Sequence, residues 1–121
     1  MSLRRTLEQE RARVAWADVA AVRDGRKEYL ALARGAAVDI QVNGLGQTLA
    51  FWRARADRAA QYRALYGQLS NWVGGQVDAG GDLLEWLIAP STSSDSYRWA
   101  SLEAIAYLGW VKRFAEAEKG G

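Results

Sequence analysis

The stretch QYRALYGQLSNWVGG, residues 61–75, decides the fold class. Tyr62, Leu65, Tyr66, Leu69, Trp72 and Val73 recur at three- and four-residue steps, the spacing that lines one face of an α-helix. No segment alternates apolar and polar residues long enough for a strand, alanine is abundant, and the one proline is Pro90. The chain therefore reads as all-α. Its 121 residues suffice to bury a core without disulfide or metal, so the expectation is a compact single-domain helical bundle of about five to six helices over residues 1–121.

Working outward, Gly74-Gly75 is expected to stop that helix, and Asp82 to cap a short one carrying Leu83, Leu84, Trp86 and Leu87 up to Pro90. Residues 90–96, PSTSSDS, read as a polar connection or as a cap, through Asp95 or Ser96, for a last helix from about Tyr97 to Glu118. Toward the N-terminus, Leu45, Leu49 and Trp52, with Thr48 and Phe51 nearby, form an apolar face reaching about Ala56. Asn43-Gly44 breaks it from a short helix over Ala36–Val42. Another segment, with Tyr29, Leu30 and Leu32, spans about Arg26 to Gly35. A first helix from about Leu3 to Arg23 places Leu3, Leu7, Val14, Ala17 and Ala21 on one face and ends at Asp24-Gly25.

The last helix carries two apolar stripes. Tyr97, Ala104, Leu108, Val111 and Ala115 form one, flanked by Ala100, Tyr107 and Phe114. Trp99, Ala106 and Trp110 form another on nearly the opposite side, with Arg98, Lys112, Arg113 and Glu116 between them. Such a helix is either central in its own domain or covers a partner with its second stripe. Six tryptophans in so short a chain make Trp99 and Trp110 candidate protein-interface residues.

Two absences exclude most chemistry. Without cysteine there is no disulfide, zinc ribbon, iron–sulfur cluster or thiol nucleophile; without histidine there is no Ser–His pair and no imidazole base or ligand. Carboxylate pairs are what remains. Glu8/Glu10 and Glu116/Glu118 diverge on their helices, and Asp78, Asp82 and Glu85 follow no metal-loop spacing. Asn43-Gly44-Leu45-Gly46 contains a GxG, but no strand precedes it and no Gly-Lys-Ser/Thr follows. The expectation is no catalytic residue, no metal and no cofactor.

Charge is distributed unevenly. Residues 1–63 hold twelve Lys/Arg against seven Asp/Glu, a net of +5, and residues 64–121 hold four against seven, a net of −3. Thirteen of the sixteen basic residues are arginine, suited to bidentate phosphate or carboxylate contacts. Arg53, Arg55 and Arg58 follow Phe51-Trp52, and helical spacing puts Arg55 and Arg58 on one face. They read as a phosphate-contacting patch, extended by Lys112 and Arg113 and by Arg4, Arg5, Arg11 and Arg13, or as an ordinary solvated face beside Asp57. The opening MSLRRTLEQERAR turns charged where a signal peptide needs an apolar run. No stretch approaches the ~18 apolar residues of a membrane span, so a cytoplasmic location is expected.

Two blocks, IQVNGLGQTLAFWRAR (residues 40–55) and SLEAIAYLGWVKRFAEAE (residues 101–118), resemble the small helical subunit of the Cmr complex, the type III-B CRISPR RAMP module. The matching features are Asn43-Gly44-Leu45, Phe51-Trp52 and Trp110-Val111-Lys112-Arg113-Phe114-Ala115; ERARVAW (residues 10–16) fits as well, and residues 74–95 offer nothing to match. The resemblance implies a non-catalytic, all-α subunit. Copies of it would stack beside the crRNA-binding backbone RAMP subunits and near the large subunit, lining the channel where target RNA pairs with the guide. Sequence would be read by base pairing, leaving the protein to hold phosphates. Competing readings are a self-assembling helical interaction protein without nucleic acid, a helix–turn–helix DNA regulator and a small carboxylate enzyme. The segments flanking Gly25 and Gly44 are too apolar for a recognition helix.

Overall fold

The computed structural model of the protein describes residues 6–118, which form six helices and, among the described residues, no strand. In chain order these are α1 (Leu7–Ala20), α2 (Arg26–Asn43), α3 (Leu45–Arg55), α4 (Ala60–Gln76), α5 (Leu83–Ile88) and α6 (Ser94–Glu118). Their buried residues join in one apolar cluster to which all six helices contribute. The 25-residue α6 is the central element, packing on α1, α2 and α4, while α3 and α5 close over α4. Its first stripe makes that contact: Ala100, Ala104, Tyr107, Leu108, Val111 and Ala115 are buried.

Several boundaries differ from the sequence reading. Arg26 to Asn43 is one helix, because Tyr29, Ala33, Ala36 and Ile40 carry a single buried stripe straight past Gly35. Helix α4 likewise runs through Gly74-Gly75; Gly74 is buried in it beside Ala79 and the Gly81 carbonyl. Helix α6 begins at Ser94, ahead of Tyr97, because the Ser93 hydroxyl caps it by accepting from the Ser96 amide at 3.1 Å, a role expected of Asp95 or Ser96. Leu3, Arg4 and Arg5 lie outside the described residues.

The largest departure is the face of α1. It buries Ala15 and Val19, with Val22 just beyond it, and exposes Leu7 and Ala17. Two polar residues explain the rotation. Arg11 forks onto Glu103 of α6 (Nε–Oε2 2.6 Å, Nη2–Oε1 2.8 Å), and Glu103 Oε2 also accepts from Trp72 Nε1 of α4 at 2.8 Å. Glu103 is 5% exposed, so this carboxylate joins three helices inside the bundle. Its hydrogen bond holds the Arg11 guanidinium above its ordinary pKa. One turn further along, the Tyr107 hydroxyl donates to Asp18 Oδ2. Gln68 Nε2 donates to the Asp18 carbonyl at 2.9 Å while its Oε1 accepts from Tyr29 Oη at 2.6 Å. Burial raises the Asp18 carboxyl, an effect that the Tyr107 hydrogen bond partly offsets.

The elbow between α2 and α3 is set by glycines. Gly44 has φ +91° and ψ 155°, a region essentially closed to side-chain-bearing residues, so Asn43-Gly44 is a true break. Two residues on, the Gly46 amide donates to Tyr97 Oη at 2.8 Å, and a Cβ at Gly46 would lie 2.8 Å from that oxygen. The start of α3 is thereby pressed onto the start of α6. At the other end of α6, Arg34 pairs with Glu116 at 3.0 Å and Arg26 with Glu118 at 3.9 Å, so α2 runs antiparallel to α6.

Gly46→Ala is expected to lower the unfolding free energy by about 1–3 kcal/mol through this overlap. In a Tyr97→Phe background, which withdraws the hydroxyl, the same change should cost far less, because alanine exceeds glycine in a helix by up to ~1 kcal/mol. Urea denaturation of the four proteins measures the coupling; equal penalties in both backgrounds would remove the contact as the cause.

A second expectation concerns alkaline pH. Burial, reinforced by the Asp18 charge, holds the Tyr107 and Tyr29 phenols far above their ordinary range; burial and the Asp82 hydrogen bond push Tyr66 up to about 12. Folded values above the unfolded one contribute stability in full below about pH 10, and it is lost as pH rises through the folded values. Tyrosinate absorbance followed with circular dichroism should show Tyr29 and Tyr107 ionising only together with loss of helix. All five tyrosines ionised in a chain of unchanged helicity would contradict it.

Candidate nucleic-acid and protein interface

The arginines after Phe51-Trp52 do not share one environment. Trp52 is 1% exposed and anchors α3, and Arg53 turns toward α5, where it meets Asp82 Oδ2 at 3.4 Å and Glu85 Oε2 at 3.8 Å. Asp82 is the N-cap of α5, accepting from the Glu85 amide at 3.0 Å and from Tyr66 Oη at 2.7 Å. Arg53 thus serves the seam between α3 and α5, and two of the three acids considered above as a cluster are its partners. Among the described residues no group of three acids is placed to hold a metal.

Arg55 and Arg58 behave differently. Helix α3 ends at Arg55, so Arg58 sits in the following turn rather than on a continued helical face. Arg55 Nη1 donates to the Phe51 carbonyl at 3.3 Å with its guanidinium carbon 3.5 Å from the centre of the Phe51 ring. Arg58 Nη2 reaches the Ala54 carbonyl at 3.5 Å, and Arg63 Nη1, from α4, the Ala56 carbonyl at 2.7 Å. Three guanidinium groups therefore gather at the C-terminal end of α3, where the helix dipole and the unpaired carbonyls attract cations. Each guanidinium has five N–H donors, leaving others to point outward. Arg63 was missed in the sequence, since it stands on the next helix; the short α3–α4 connection was the available signal.

Lys112 and Arg113 are exposed on α6 and have no ion-pair partner among the described residues. Among the described residues no hydrogen bond or ion pair joins them to Arg55, Arg58 or Arg63.

The tryptophan stripe also divides. Trp99 is 43% exposed, with Leu102 beside it at 57%. Trp110 is half-buried, stacked on Phe114 (centroids 5.5 Å, 25°), and Phe114 takes the edge of Trp16 from α1 (5.0 Å, 85°). Trp16, 53% exposed, completes an aromatic seam along α1 and α6 that the sequence reading did not include.

Residues 7–118 match the sequence model of the family described as CRISPR-associated protein (Cas_Cmr5). The chain belongs to the Cmr5 family. The solved structure of a CRISPR-associated Cmr5 family protein from Thermus thermophilus is similar over 93% of this chain and 97% of that one, with 32% identity and a TM-score of 0.72. Cmr5 proteins are small subunits of the type III-B CRISPR complex, which agrees with the all-α architecture. In this Cmr5 protein no helix among the described residues is long and apolar enough to cross a membrane.

Trp99→Ala is expected to leave stability within about 1 kcal/mol. Trp110→Ala, losing a ring stack and partial burial, should cost about 1–3 kcal/mol, below the ~3–5 of a full core tryptophan. Thermal denaturation distinguishes them, and a full-core cost would end the candidacy of Trp110 as an interface residue.

Proposed function

We propose that this Cmr5 protein is a non-catalytic structural subunit of the RNA-guided type III-B effector. It stacks in copies along the crRNA-bearing backbone RAMP subunits, near the large subunit, and helps hold target RNA during antiviral defence in the cytoplasm. The observation that carries the RNA role is the gathering of Arg55, Arg58 and Arg63 at one helix end, with a single acid, Asp57, in the turn between. Guanidinium groups in such a cluster offer forked donors to phosphate and no reader of base pairs in a duplex, as guide-directed recognition requires. Lys112 and Arg113 form a separate contact, and Arg53, paired with Asp82 and Glu85, supports the fold. Trp99 and Trp110 face neighbouring subunits in this reading.

A second reading rests on the aromatic seam of Trp16, Trp110 and Phe114, which suits self-association without nucleic acid. Target-RNA binding by the reconstituted complex over a salt series separates the two. Each phosphate contact removed should flatten the log–log salt slope by roughly 0.7–0.9, about equally for different RNA sequences. Arg55→Ala/Arg58→Ala and Lys112→Ala/Arg113→Ala are expected to do so, and Arg53→Ala to leave the slope as it was. Unchanged slopes in a complex of normal composition would leave the self-association reading.

A further inference from the structure

Asp39, Asn43, Gln47, Phe51 and Arg55 follow one another at four-residue steps, across the break at Gly44. The elbow keeps them on one side of the molecule, where Asp39, Asn43, Gln47, Thr48 and Phe51 line a depression of about 330 Å³. That volume lies at the small end of ligand pockets, the size class of a single ring system. Asp39, Asn43 and Gln47 are exposed, and their side chains make no hydrogen bond or ion pair with a described residue. Thr48, in contrast, is 4% exposed, and its Oγ1 has no hydrogen-bond partner. That hydroxyl is closed off from the depression as it is from solvent, so Thr48 shapes the floor and the exposed side chains supply the polar groups.

We infer that this elbow is a binding site for an unpaired guanine base of RNA, an inference that rests on the RNA-holding reading above. Phe51, half-exposed and steadied by the edge of Tyr62 at 6.1 Å, supplies an apolar ring for stacking. The Asp39 carboxylate is acceptor-only, and guanine alone among the four bases presents two adjacent N–H donors, N1–H and the N2 amine, on its pairing edge. Asn43 and Gln47 supply carboxamides that accept or donate around the remaining edge. The Arg55 guanidinium, seated on Phe51, stands where the phosphate of the same nucleotide would follow. The depression combines a ring for stacking and an edge-reading carboxylate, with a phosphate-directed cation seated on that ring.

The test is amide NMR of the full chain titrated separately with GMP, UMP and inorganic phosphate into the millimolar range expected for one nucleotide. GMP should move amides of residues 39–55 with an affinity several-fold above that of UMP. Asp39→Asn should erase the preference for GMP, and Phe51→Ala should weaken both nucleotides. Shifts reproduced by phosphate alone, equal responses to GMP and UMP, or no response in residues 39–55 would each overturn the site. GMP binding as described, with RNA salt slopes indifferent to Arg55 and Arg58, would sink the RNA-holding reading and leave the pocket. Slopes that respond with no GMP binding would do the reverse.

Discussion

The architecture depends on one buried carboxylate. Glu103 lies on the central helix, 5% exposed, and is neutralised by a two-pronged Arg11 from α1 and a Trp72 indole from α4. A charge so placed is tolerated only while its partners stay in register, because removing one leaves an unpaired ion in a medium of low dielectric. Three helices are therefore fixed in rotation and translation by a single group. The Asp18–Tyr107 bond and the Gln68 bridge to Tyr29 repeat the arrangement one turn along and bring in α2. Apolar packing supplies most of the driving force, and these polar contacts select which packing forms.

With α1, α2, α4 and α6 so locked, α3 is left as a bracket on their flank. Its start is pinned where Gly46 meets Tyr97, and its side is held by Arg53 against Asp82 and Glu85. The bracket presents Gln47, Phe51 and Arg55 outward, while Leu45, Leu49 and Trp52 go into the core. The same 11-residue helix therefore carries both Arg53, paired with the acids of α5, and Arg55, seated on Phe51. Geometry separates them: residues two apart on a helix point to different sides.

Membership of the Cmr5 family places the chain in the type III-B CRISPR complex. The buried network holds the helices as one body and leaves separate faces outward. The described surface has a basic end at α3–α4, an aromatic seam at α1–α6 and a polar elbow at α2–α3. None of these faces draws on histidine, cysteine or a clustered acid site.

The sequence alone determined the helical class, the breaks at Gly25 and Gly44, the Asp82 cap, and the core stripes of α3, α4 and α6. Each follows from periodicity or from the conformation of one residue, which are local properties. The Asn-Gly-Leu and Trp-Val-Lys-Arg-Phe-Ala blocks pointed further, to the family. The inward face of α1 was beyond its reach, because Arg11 and Asp18 look like surface residues until Glu103 and Tyr107, some ninety positions away, are placed beside them. Nor did glycine content predict that α2 and α4 continue past Gly35 and Gly74-Gly75, where packing outweighs a propensity cost of ~1 kcal/mol per residue. The partners of the arginines were likewise visible only in three dimensions. Arg53 found acids on α5, Arg55 found a ring, and Arg63 arrived from the next helix. A side chain's partners are set by the packing of distant segments, and spacing along one segment does not encode them.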